Sequence, residues 1–113
     1  MSADSGLLYA TMESALQRIE YDLEPGSNTD KDVRVYALST CAFCRRGMEY
    51  LKKNGIAFKY VYLDKIDQDL KKQAKAELKE KFRNITVFPV LVVDDAEAVA
   101  GFVEEEWKDM VEA

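Results

Sequence analysis

Histidine is absent from this 113-residue chain, and cysteine occurs only twice. Without histidine there is no Ser/His/Asp or Cys/His catalytic pairing, and no self-contained Cys₂His₂ zinc site. The two cysteines, Cys41 and Cys44, lie three positions apart and cannot staple distant parts of a fold, as a secreted disulfide scaffold would require. Glycine and proline are few, and 48% hydrophobic with 33% charged residues is the make-up of an ordinary globular chain with one core. No apolar run approaches the ~18 residues of a transmembrane helix. No basic segment precedes an apolar stretch near Met1, so neither a secretory signal nor a membrane is expected. Cytoplasmic residence is the expectation.

A basic surplus is also lacking. The net charge is −5, all of it carried by the first 32 residues, while residues 33–113 balance 14 acids with 14 bases. No basic stripe is left to hold a phosphate backbone, so nucleic acid is not an expected partner.

What is present divides the chain in two. Leu8, Met12, Ala15, Leu16 and Ile19 recur at helical spacing, predicting an amphipathic helix from about Ser5 to Asp22. Such a helix packs on the main domain, joins two copies or docks a partner. Glu24 to Asp30 collects turn and linker residues, which sets an extension, 1–31, apart from a domain, 32–113.

In the domain, strands and helices alternate. Val33–Leu38 and Phe58–Leu63 read as strands, and Ala42–Asn54 and Asp67–Phe82 as helices with Gly55 as a stop signal. Pro89–Val93 reads as a strand, Asp94-Asp95 as a turn and Ala98–Ala100 as a short strand. A final helix turns Val103, Trp107, Met110 and Val111 inward. The order βαβαββα implies an α/β fold, a mixed sheet with helices on both faces.

The Cys41-Ala42-Phe43-Cys44 segment falls between a strand and a helix. There the first cysteine meets unpaired backbone N–H groups that favour an anion, and the thiolate is the reactive form of cysteine. Arg45 and Arg46 add positive charge. Cys44 lies one turn further in, on the apolar face, within disulfide reach. Cys41 is therefore the expected nucleophile and Cys44 the resolving thiol. Two unrelated structural cysteines, or a zinc half-site completed across a dimer, are the alternatives; the strand–helix context favours redox chemistry, and no metal is expected.

Val35 to Cys44, then Phe58 to Asp64, Val87-Phe88-Pro89 and Ala100-Gly101, resemble the glutaredoxin family over about residues 33–113. The resemblance implies a thioredoxin-like fold with a central four-stranded mixed sheet, plus the N-terminal helical extension. It also implies thiol–disulfide oxidoreductase activity. Pro89 then matches a cis proline beside the redox pair, although by its residues alone it reads equally as a trans residue at a strand start. Phe88 matches the residue whose backbone pairs with substrate, and Val87, Gly101 and Phe102 complete the matched binding segment.

Tyr36, Phe43, Phe88 and Phe102 suggest an apolar rim, with Tyr36 assigned to the core by its alternation and Phe43 and Phe102 open between partner contact and packing. Leu38 stands where glutathione-using members carry lysine, Ala42 where proline is usual, and Ala100-Gly101 where a Gly-Gly pair is usual. These departures weaken the case for glutathione as co-substrate. Gly101-Phe102 is similar to the glutaredoxin-like electron donors of ribonucleotide reductase, which draw electrons from thioredoxin reductase. No tightly bound cofactor is expected. Partners are a disulfide substrate and an electron source, a reductase or glutathione. Two other functions on this fold are an iron–sulfur cluster carrier and a redox-sensing interaction module.

Overall fold

The computed structural model describes residues 14–83 and 85–112, so most of the helix expected from about Ser5 lies outside the described residues. The described elements run α1 (Ala15–Arg18), β1 (Asp22–Glu24), β2 (Val33–Ala37), α2 (Ala42–Lys53), β3 (Phe58–Tyr62), α3 (Gln68–Lys81), β4 (Val90–Val93), β5 (Glu97–Ala100) and α4 (Glu104–Glu112). A 3₁₀ turn at Leu63–Lys65 follows β3.

Five strands form one sheet in the order β1-β3-β2-β4-β5. Strands β2 and β3 are parallel, because α2 carries the chain back between them, and the other pairings are antiparallel. Asp94 and Asp95 close the β4–β5 connection with φ of 54° and 56°, left-handed values that short polar side chains tolerate. The Asp94 amide donates to the Asp32 carbonyl at 2.7 Å, and the Asp32 amide donates to Asp94 Oδ1 at 2.8 Å. The turn is thereby tied to the start of β2.

Both faces of the sheet are covered, which is why all four residues of β4 are buried. On one face α2 and α4 bring Cys44, Met48, Leu51, Trp107 and Val111 onto Val33, Val35, Leu91 and Val93. On the other, α1 and α3 bring Ala15, Ile19, Ala74, Leu78 and Phe82 onto Tyr36, Val61, Val90 and Val92. Tyr36 is buried as its alternation predicts, its hydroxyl 2.8 Å from that of Tyr21.

Three expectations need correction. The sheet has five strands rather than four, because the predicted helix ends at Arg18. Ile19 turns to extended backbone, and Asp22–Glu24 pairs with β3. The Glu24–Asp30 stretch is knitted to the domain: the Asn28 amide donates to the Gly55 carbonyl at 2.9 Å, and the Ala57 amide to the Asn28 carbonyl at 3.0 Å. A Cβ on Gly26 would stand 2.6 Å from the Gly55 carbonyl oxygen, so glycine here serves close backbone approach rather than flexibility. Val103 is half exposed instead of inward; it precedes α4, accepts the Trp107 amide at 3.0 Å, and leaves the buried stripe to begin at Trp107.

The anchoring of α1 is specific. Ser14 and Gln17 form a reciprocal capping box. Glu77 of α3 accepts the Ala15 amide at 2.6 Å and the Leu16 amide at 3.2 Å, two of the donors that a helix start leaves free. No helix among the described residues is long and apolar enough to cross a membrane.

Candidate redox site

Strand β2 ends at Ala37, and a short turn delivers the chain to α2, with the Cys41 amide donating to the Leu38 carbonyl at 3.2 Å. Cys41 is the N-cap of α2. Its backbone is extended, and its Sγ accepts the Cys44 amide at 3.1 Å. A sulfur in this place takes a hydrogen bond from an amide with no intrahelical partner and faces the positive end of the helix dipole.

Cys41 and Cys44 are both free thiols in unequal surroundings: Cys41 is partly exposed, whereas Cys44 is wholly buried among Met48, Leu51 and the sheet. Burial pushes the Cys44 thiol up to about 12, reinforced by the neighbouring Cys41 sulfur. Charge is disfavoured on the inner sulfur, and the outer one is within solvent's reach.

The loop before β4 forms the facing wall. The Phe88–Pro89 peptide is cis, and the Phe88 carbonyl lies 3.9 Å from Cys41 Sγ. Pro89 is buried, and its carbonyl accepts the Gly101 amide at 2.7 Å. Gly101 has φ 83°, a left-handed value that suits glycine, and its carbonyl accepts Trp107 Nε1 at 3.0 Å. A Cβ at Gly101 would lie 3.6 Å from Val87 Cγ2, so these two predicted residues are neighbours.

Cys41, Cys44, Phe88, Pro89, Val87 and Gly101 thus converge. Phe102 packs edge-on against Trp107 with ring centroids 4.9 Å apart and lies 6.0 Å from Tyr50, so much of its ring serves packing. Phe43 points outward, more than half exposed, with the Arg46 guanidinium 5.4 Å from its ring centroid. Val87 and Val103 are also more than half exposed.

Three contributors escaped the sequence reading. Asp64 accepts both the amide and the hydroxyl of Ser39, in the turn before Cys41. Lys75 of α3 sets its Nζ 5.8 Å from the Phe88 ring centroid. Trp107, expected only as a core residue, also holds the Gly101 backbone. Asp64 closes the resemblance segment Phe58–Asp64, which was its only signal; nothing in the sequence pairs it with Ser39. No group of side chains suited to hold a metal occurs among the described residues. A cleft of about 520 Å³ beside Leu23, Pro25, Val33 and Phe58 lies at the far end of β2 from the cysteines and plays no part in this site.

Comparison with known proteins agrees with this fold. The family described as glutaredoxin matches residues 33–97, more than half of the chain. The fold is similar to the glutaredoxin of Methanosarcina mazei Go1 (27% identity, TM-score 0.72, covering 84% of this chain and 90% of that one). It is also similar to the glutaredoxin grx-1 of Archaeoglobus fulgidus (29%, 0.66, 75% and 90%) and to the methanoredoxin of Methanosarcina acetivorans (27%, 0.65, 73% and 85%). No curated protein matches the sequence.

Proposed function

The chain belongs to the glutaredoxin family and is a thiol–disulfide oxidoreductase, and from that premise we propose that it reduces protein or small-molecule disulfides through a Cys41–Cys44 cycle. The observation that carries the cycle is the inequality of the two sulfurs. Cys41 Sγ sits partly exposed on the Cys44 amide, while Cys44 is buried with its thiol held protonated.

In the first half-reaction the Cys41 thiolate attacks one sulfur of a substrate disulfide. A Cys41–substrate disulfide forms, and the other substrate sulfur leaves as a thiolate. In the second, Cys44 gives up its proton and attacks Cys41 Sγ, which forms the Cys41–Cys44 disulfide and releases the remaining substrate thiolate. Burial delays ionisation of Cys44 until a leaving thiolate is near to take the proton. Two electrons from an external reductant, with two protons from solvent, then restore both thiols.

The reductant on this reading is a flavoprotein thioredoxin reductase. Leu38 supplies no cation where the resemblance expects lysine, and it packs against the core on the α3 side. Glutathione enters only as a poor co-substrate, no resident cofactor is assigned, and the setting is the reducing cytoplasm. Phe43, Val87 and Val103 offer an apolar border suited to a polypeptide substrate.

The test is a coupled assay of insulin reduction, read as NADPH oxidation, with thioredoxin reductase in one arm and glutathione plus its reductase in the other. Turnover confined to the first arm is expected. Efficient turnover with glutathione overturns the reductant, and no turnover in either arm overturns the cycle. A brown protein after anaerobic cluster reconstitution would support the iron–sulfur carrier instead.

A further inference from the structure

Strands β2 and β3 run parallel in a register that pairs Ala37 with Tyr62. Two residues further along each chain, where neither strand continues, Ser39 and Asp64 meet. Oδ1 of Asp64 accepts the Ser39 amide at 2.9 Å, and Oδ2 accepts the Ser39 hydroxyl. A carboxylate thus takes over where the backbone ladder stops, through charge-assisted bonds that are stronger than neutral ones. These bonds hold the Asp64 carboxyl below its ordinary range, so it is ionised at neutral pH.

The segment so gripped leads directly to the nucleophile. The Leu38 carbonyl, one residue before Ser39, accepts the Cys41 amide at 3.2 Å, and Cys41 Sγ accepts the Cys44 amide at 3.1 Å. The Leu38–Cys41 turn therefore has two fixed ends, one on Asp64 and one on the start of α2. We propose that Asp64 is a positioning residue for the redox reaction: its two-oxygen grip on Ser39 holds this turn so that Cys41 Sγ stays on the Cys44 amide. Asp64 acts through Ser39 and is not a group that touches substrate. The inference rests on the reading of Cys41 as the attacking thiol.

A positioning role and a simple charge effect predict opposite results. Asp64 is negative, so if it acted on Cys41 only through space, its removal would make a thiolate easier to form. If it acts by holding the turn, its removal loosens the Cys44 amide from Sγ and makes the thiolate harder to form. The charged groups around the turn are Lys65 beside Asp64, Arg45 and Arg46 on α2, and Lys75 of α3 at Phe88. All of them are unchanged in the variants.

The experiment measures iodoacetamide alkylation of Cys41 against pH in the full chain carrying Cys44→Ser, which keeps the backbone amide. Asp64→Ala should move the profile to higher pH and slow alkylation on its rising limb about three- to tenfold. Ser39→Ala, which keeps the amide bond, should give a smaller slowing. The double variant should be no slower than Asp64→Ala alone, since both changes break one grip. A profile that moves to lower pH, or does not move, overturns the proposal. Asp64→Asn, closest in shape, serves if Asp64→Ala does not fold, and should also slow alkylation. In the parent, preferential labelling of Cys44 over Cys41 would count against the cysteine roles, a failure separate from that of the Asp64 grip.

Discussion

Gly47 of α2 lies against Trp107 of α4 so closely that a Cβ on Gly47 would stand 2.5 Å from Cη2 and 2.8 Å from Cζ3 of the indole. The ring cannot easily retreat. It is fully buried, its Nε1 donates to the Gly101 carbonyl, and Phe102 meets it edge-on. The helix that carries Cys44 and the loop that holds Gly101 therefore share one rigid spacer.

Gly47→Ala sets two effects against each other. Alanine improves helix propensity by about 1 kcal/mol, whereas forcing a methyl group into a filled core costs about 1–3 kcal/mol. With contacts this short the clash wins, and a net loss of about 1–2 kcal/mol is expected, read as a lower urea midpoint. A raised midpoint would mean that the indole yields and that Gly47 is not needed for packing.

The extension is expected to contribute to stability from its described part onward. Ile19 is buried against the α3 side of the core, so Ile19→Ala should cost about 2–4 kcal/mol. Removing residues 1–30 would also uncover the β3 edge that β1 protects and leave Glu77 without the two amides it binds. Broad, weakly cooperative thermal unfolding of the truncated chain is the expected outcome. A truncated chain as stable as the full one would restore the division at residue 31.

How far the sequence could be read follows from where each signal resides. Strand β4 and helix α2 were legible because their cause is local: a run of branched aliphatics after Pro89, and an apolar stripe at Cys44, Met48 and Leu51. Strand β1 was not, because Asp22-Leu23-Glu24 is too short for its alternation to stand out and has no β-branched residue, and its extended state comes from pairing with Lys59 and its neighbours. The linker reading failed at Gly26 for a similar reason, since glycine marks both free chain and crowded backbone. The cysteines could be read because a single segment holds both partners. Asp64 could not, because its partner lies 25 residues away, in the turn beyond the end of another strand.

Alkaline conditions should expose the burial of Cys44. Its thiol is raised from 9.0 to about 12 in the folded chain, so the folded state binds that proton more tightly than the unfolded state. The resulting stability is complete below pH 9 and is lost as pH rises toward 12. Under reducing conditions, urea unfolding between pH 8 and 11 should show the parent losing stability faster than Cys44→Ala. Tyr36 and Tyr50 are also raised by burial, but they are present in both proteins and cancel in the difference. Parallel curves for the two proteins would mean that Cys44 is not held protonated by burial.

Replacing Cys44 with serine should convert turnover into capture. Cys41 would still attack a partner disulfide from its place on the residue-44 amide, but no neighbouring thiol could displace the product, so the mixed disulfide should accumulate. Cys41→Ser should trap little, because the remaining thiol is buried and held protonated. With insulin as substrate, non-reducing electrophoresis should show a higher-mass, thiol-sensitive band for Cys44→Ser alone. A cluster carrier that binds through Cys41 and glutathione would instead keep its colour in Cys44→Ser and form no such band. Equal trapping by the two variants would show that the buried sulfur is as reactive as the exposed one, and the division of roles between Cys41 and Cys44 would then fail.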